Sequence, residues 1–246
     1  MSKSNSKDTL YAAAQENISR FIFDGNVANV FNDMITRSVP GYATIINMIG
    51  VLAGEHAQDN SRCYDLGCSL GASTLSMRRR IRKKNCKIIS VDNSQAMADR
   101  CKEFIEKDRS ETPVEVICDD IQNIQIERAS MVVLNFTLQF ISPEKRLETL
   151  KSIHDGMLPG GVLIISEKIV FDDARIQEMQ TQLHHNFKKM NGYSEMEIAQ
   201  KRTALEEVLI PDTLAQHEDR LTKIGFNPVF VWFQCFNFAS IIATKC

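Results

Sequence analysis

No stretch of this sequence approaches the roughly 20 consecutive apolar residues that a helix needs to cross a bilayer. Met1 to Asp8 is polar, where a secretory leader would carry an apolar core. Both absences predict a cytoplasmic protein without a membrane partner. Neither sign of charge dominates, since 29 Lys and Arg stand against 31 Asp and Glu, for a formal net charge of -2. A protein that grips nucleic acid by its phosphates is usually basic. Direct nucleic-acid binding is therefore not expected, and a small-molecule substrate gains weight. Histidine is sparse, at 5 residues, and none stands at zinc spacing from the seven cysteines. No metal site is expected. The cysteines are odd in number and show no paired framework, as suits reduced cytosolic thiols. There are no repeats and no low-complexity tract. What is present, 43% hydrophobic and 24% charged residues in 246, is the balance of a soluble globular domain with a sizeable core.

The hydrophobic pattern divides the chain. Residues 1–15 read as a flexible arm, and residues 21–24 as a short packed segment. Val27, Val30, Phe31, Met34 and Ile35 recur at helical spacing over 26–37. The turn Ser38-Val39-Pro40-Gly41-Tyr42 follows, then a second helix carrying Ile45, Ile46, Ile49, Val51 and Leu52 to about Gly54. Beyond it the pattern alternates. Short apolar strands are predicted at 62–66, 87–92, 114–118, 129–135 and 162–167, with helices at 72–83, 94–107 and 143–157; the last closes on Leu158-Pro159-Gly160-Gly161. Such alternation builds a mostly parallel sheet with helices on both faces. Residues 172–208 read as a helical insertion broken at Asn191-Gly192. A helix and two strands, 229–232 and 236–244, complete the sheet, one of them antiparallel. One domain over 16–246 accommodates all of this.

The chemistry concentrates at strand ends. Strand, Asp65, Gly67, Ser69, Gly71, helix is the order of a turn whose glycines let a ligand approach the backbone and whose helix offers free N–H groups. It fits G-x-G-x-G, with serine in the middle, better than the dinucleotide G-x-G-x-x-G. Asp92 ends the second strand about 20 residues further on, where a carboxylate can accept from both ribose hydroxyls. Asp120-Ile121 follows the third strand, placed for an adenine amino group and ring face, with Asp119 a rival for the first role. Asn135 ends the fourth strand, where ligands of open α/β sheets gather.

Together these features resemble the class I S-adenosylmethionine-dependent methyltransferases, of Rossmann-like fold; the Leu158-Pro159-Gly160-Gly161 turn before a strand is typical of them. Longer strings are similar to the carboxy-S-adenosyl-L-methionine synthase family over about residues 8–244. They are Ser38-Val39-Pro40-Gly41-Tyr42, Tyr64-Asp65-Leu66-Gly67-Cys68-Ser69-Leu70-Gly71, Val132 to Phe140, Asn191-Gly192-Tyr193-Ser194-Glu195, Gln200-Lys201-Arg202 and Trp232 to Phe238. The resemblance implies an enzyme that turns S-adenosyl-L-methionine and prephenate into carboxy-S-adenosyl-L-methionine, phenylpyruvate and water. It also implies a homodimer linked functionally to a tRNA carboxymethyltransferase acting on wobble uridine. By the same resemblance Tyr42, Asp65, Gly67, Cys68, Ser69, Asp92, Asn93, Asp120, Ile121 and Asn135 meet the cofactor. Arg202 reaches a neighbouring subunit's site as a carboxylate clamp, a role that suits a planar guanidinium. A plain methyltransferase acting on a small molecule or RNA, and a non-catalytic cofactor-binding subunit, are the other readings.

The remaining features carry less. The basic run Arg78-Arg79-Arg80-Ile81-Arg82-Lys83-Lys84 reads as a solvated helix end. His184 and His185 point about 100° apart on a helix, which argues against joint metal ligation, although one could contact substrate. Leu183, Phe187 and Met190 read as a core or dimer stripe. Cys68, with no base beside it in sequence, reads as a packing residue.

Overall fold

The computed structural model describes residues 7–15 and 17–246. Two helices come first, α1 (Gly25–Ser38) and α2 (Tyr42–His56). Strand and helix then alternate: β1 (Arg62–Leu66), α3 (Ala72–Arg80), β2 (Lys87–Asp92), α4 (Gln95–Lys107), β3 (Val114–Cys118), β4 (Ala129–Asn135), α5 (Pro143–Gly156) and β5 (Met157–Lys168). The helices α6 (Ala174–Met190), α7 (Glu195–Glu206) and α8 (Leu214–Ile224) precede β6 (Phe226–Cys235) and β7 (Phe238–Lys245). The sheet order is β3-β2-β1-β4-β5-β7-β6, and β7 alone runs against the other strands.

Side-chain alternation explains how one sheet serves two cores. Along β4, Met131 and Val133 point to one face and Val132 and Leu134 to the other. Along β5, Val162 and Ile164 join the first pair, and Leu163 and Ile165 the second. Helix starts are fixed locally. Asp24 accepts from Val27 N at the head of α1, Ser94 from Met97 N at the head of α4, and Ser194 with Glu197 closes a capping box on α7. A third cluster, including Phe21, Val27, Met34, Leu70 and Met97, lies outside the sheet. It holds α1 beside the carboxyl ends of the strands.

Three expectations need correction. The helix predicted to Lys83 stops at Arg80, because Ile81 turns extended (ψ 131) and is buried in the core. Leu158-Pro159-Gly160-Gly161 is not a turn ahead of a strand but an irregularity within β5. Ala129 pairs with Met157 and Met131 with Val162, so the extra residues bulge around Gly160 at φ +73. The arm expected over 1–15 lies outside the described residues for 1–6, while residues 7–15 contain a buried anchor. Asp8 is 1% exposed and accepts from Tyr193 Oη at 2.5 Å, and Gln200 holds Gln15 N and the carbonyls of Tyr11 and Ala13.

Candidate functional site

The carboxyl ends of β1, β2 and β4 open into a cavity of about 570 Å³. Its floor is the turn after β1. Gly67 N and Cys68 N both donate to Val91 O, at 2.8 and 2.9 Å, which draws the chain across the end of β2. Gly67 sits at φ +80, and a Cβ there would overlap the Thr137 side chain, so glycine is required twice over. Ser69 follows at φ +49, and its N–H reaches Asp92 Oδ2 at 2.8 Å; Ser94 N–H reaches Oδ1 at 2.9 Å. Each Asp92 oxygen thus accepts one backbone bond and keeps a lone pair for a ligand hydroxyl. Burial raises the Asp92 carboxyl above its usual range against those two bonds.

After β3, Asp120 caps the short helical turn Ile121–Asn123, accepting from Gln122 N at 2.9 Å. Asp119 accepts from Asp120 N and Asn123 Nδ2 and does not line the cavity, whereas Asp120 does. Asn135 lines the cavity with its buried Oδ1 lacking a hydrogen-bond partner among the described residues. An orphaned buried acceptor costs about 1–3 kcal/mol, and a ligand N–H would satisfy it. Tyr42 is half-buried beside Phe136, with ring centroids 6.3 Å apart; desolvation, then the charge of Asp65, keeps its phenol protonated as a donor. Amide acceptor, ribose-type carboxylate, adenine-type carboxylate and glycine cradle fit an adenosyl amino acid.

The far end is cationic. Lys168 ends β5, Lys188 lies on α6, Lys201 on α7, and all three line the cavity. Burial lowers each ammonium. Lys188 falls to about 7, helped by Lys201 and Lys168; Lys201 falls to about 8 despite the charge of Asp8; Lys168 is lowered further by Arg202. Lys201 is engaged, donating to Ser38 Oγ at 3.1 Å with Asp8 Oδ2 at 3.6 Å. His184, one turn before Lys188, lies 2.8 Å from Ser38 O through Nε2. A carbonyl only accepts, so Nε2 carries the proton, and burial holds the ring neutral well below its ordinary pKa. Behind this wall Glu167 accepts from Leu138 N and Gln139 N at 2.9 and 3.0 Å, fixing the Leu138–Phe140 turn. Burial pushes its carboxyl up to about 8.

The structure brings together Tyr42, Gly67, Cys68, Ser69, Asp92, Asn93, Asp120, Ile121 and Asn135 on one cavity. Asp65 lies behind the turn instead, 1% exposed and accepting from Thr74 Oγ1 at 2.6 Å; burial pushes its carboxyl up to about 6. Arg202 is exposed on α7 and does not line its own chain's cavity, although its charge reaches Lys168, His185 and Lys188. Cys68 packs 4.0 Å from Cys101 Sγ, and that contact, then burial, raises its thiol. Of the basic run, Arg78 is tied inward, donating to Thr112 O and Ile105 O; Arg79 pairs with Asp108 at 2.9 Å from an exposed position, and Arg80, Arg82, Lys83 and Lys84 are exposed, as a solvated helix end should be. The three cavity lysines escaped the sequence reading. Lys168 stands one residue past the strand expected over 162–167, and Lys188 one helical turn after His184, the two signals that could have found them. No group of three or more His, Cys, Asp or Glu placed to hold a metal occurs among the described residues. No helix there is long and apolar enough to cross a membrane.

Three comparisons bear on this site. The methyltransferase domain family matches residues 64–161, the span from β1 into β5. Proteins called carboxy-S-adenosyl-L-methionine synthase in Shewanella sediminis and Shewanella piezotolerans are 58% and 57% identical, over 98% of this chain and 99% of theirs. Among solved structures, an O-methyltransferase family protein from Burkholderia thailandensis superposes with TM-score 0.65 at 16% identity, over 94% of this chain and 65% of that one. A cyclopropane synthase from Mycobacterium tuberculosis gives 0.54 at 17%, over 76% and 62%. These structural likenesses concern the fold.

Proposed function

The chain belongs to the carboxy-S-adenosyl-L-methionine synthase family, and from that premise we propose that it draws the new carboxyl group from prephenate. It is an enzyme whose substrate is S-adenosyl-L-methionine and whose product is carboxy-S-adenosyl-L-methionine. One observation carries the proposal. A single cavity joins the adenosyl cradle of Gly67, Asp92 and Asn135 to a wall of cations at half-buried Lys168 and buried Lys188. A plain methyl donor needs no such wall; an anionic co-substrate does.

In the proposed reaction the bond between the prephenate ring and its carboxylate breaks. The electron pair aromatises the ring and expels hydroxide. Hydroxide takes a proton from the sulfonium methyl, forming water, and the methyl carbon attacks the released carbon dioxide. The base comes from the substrate, so the protein's task is to orient and to exclude water. A cavity with apolar walls and a neutral His184 suits that task.

Arg202, directed outward, clamps the product carboxylate in a second copy of the chain. Ile176, Met179, Leu183 and Met190 leave α6 with an exposed apolar row for such a copy to cover. The enzyme acts in the cytoplasm and supplies a tRNA carboxymethyltransferase. Incubation with S-adenosyl-L-methionine and prephenate should yield the carboxylated cofactor by mass spectrometry; methyl transfer to an acceptor with no such product would refute the reading. Arg202→Ala should weaken carboxy-S-adenosyl-L-methionine at least tenfold, as loss of a charge-assisted pair of about 1.5–3 kcal/mol implies, and S-adenosyl-L-methionine by less than threefold. Equal affinities in parent and variant would refute the clamp.

A further inference from the structure

Lys168 and Lys188 are two cavity ammonium groups that the fold does not use. Lys188 is 9% exposed and Lys168 half-buried, and both line the cavity. Neither side chain has a hydrogen-bond or acidic partner among the described residues. The charges that reach them, Lys201, Arg202 and each other, all repel. Lys201 differs, because Ser38 and Asp8 already engage it. Burying unpaired cations side by side is unfavourable, so an anion completes the arrangement.

The surroundings limit what kind of anion. Lys168 on β5 stands directly across from Phe238 on β7. Phe238 lies 6.1 Å from Phe136, edge to face, and 4.8 Å from His184; Phe136 lies 6.3 Å from Tyr42. A row of aromatic rings therefore runs from the cofactor turn to the lysines. Phe136 holds its place in that row at φ +62, a conformation a bulky residue adopts only under constraint. The pocket takes an apolar ring whose carboxylated arm ends at the lysines.

We propose that Lys168 and Lys188 together hold the pyruvyl carboxylate of the co-substrate, the one that survives the reaction, and leave the departing ring carboxylate unpaired. This rests on the prephenate reading above. The assignment follows from the chemistry. The ring carboxylate leaves as neutral carbon dioxide, so an ammonium paired to it would stabilise the ground state more than the transition state and slow the step. The pyruvyl carboxylate is an anion in prephenate and still an anion in phenylpyruvate. Holding it orients the ring without opposing bond cleavage.

Lys168→Met and Lys188→Met test this, with exposed Lys189→Met as control. Each cavity variant should raise KM for prephenate and the inhibition constant of phenylpyruvate at least tenfold. Affinity for S-adenosyl-L-methionine should stay within threefold, and Tm should hold or rise. A raised KM with unchanged phenylpyruvate inhibition would overturn the assignment in favour of the departing carboxylate. Unchanged values for both ligands would overturn the subsite altogether, while carboxylated product still formed by the parent would leave the function intact. No carboxylated product from the parent would overturn both.

Discussion

At the scale of single residues, stability has been given up where function needs it. Lys188 ionises near 7 in the folded protein against 10.5 in an open chain. Between those values the unfolded chain holds more protons, so its penalty is full at pH 7 and below and fades as pH rises toward 10.5. Lys188→Met should therefore raise Tm most at pH 7, by the equivalent of about 1–4 kcal/mol, and little at pH 10. A uniform loss of Tm at every pH would contradict this. Carboxylate binding favours the charged form, so parent affinity for prephenate should fall as pH climbs above 7. The groups facing Lys188 (Lys168 on β5, His184 on α6, Lys201 and Arg202 on α7) supply no competing anion. Asn135 offers the same trade. Asn135→Ala removes an acceptor that lacks a partner, so the free protein should keep its Tm while cofactor affinity falls about tenfold or more, as one lost hydrogen bond to a charged donor implies. Isothermal titration with a thermal melt reads both.

At the scale of elements, α7 is held from two sides. Its capping box starts it, and the segment at Asp8 pins Lys201 and Tyr193. Asp8 also sits against Arg37, whose Nη1 reaches the Asp8 carbonyl at 3.3 Å and the Asp33 carboxylate at 3.0 Å. Asp8→Ala strands a buried ammonium and should cost about 3–5 kcal/mol in denaturant unfolding. Lys201→Met in the same chain should recover a good part of that loss, whereas additive losses would show the two are not coupled. Sequence reading foresaw the strands, because β-branched runs alternate with glycine turns. It missed this anchor because an acid near the amino terminus, in polar company, carries no sign of a partner some 190 residues away. It misread Leu158-Pro159-Gly160-Gly161 because those residues serve a bulge as well as a turn, and only the β4 register separates the two. Of the site, the strand-end residues Gly67, Asp92, Asp120 and Asn135 were legible, since the fold must place such positions together. Lys168 and Lys188 were not, because a lysine's burial depends on which helix covers it.

At the scale of the whole molecule, the sheet supplies a cofactor floor on one side of the cavity, and α6 and α7 supply a charged wall on the other. Methyl transfer needs the first alone. In the proposed reaction the wall receives an anion as the second reactant, and the central claim is that this anion surrenders its ring carboxyl group to the cofactor methyl. Prephenate isotopically labelled in the ring carboxylate, incubated with the enzyme and S-adenosyl-L-methionine, tests it most directly. The account predicts the label in the new carboxyl group of carboxy-S-adenosyl-L-methionine and none in phenylpyruvate. Unlabelled carboxy-S-adenosyl-L-methionine, with the label released to bulk carbon dioxide, would contradict it.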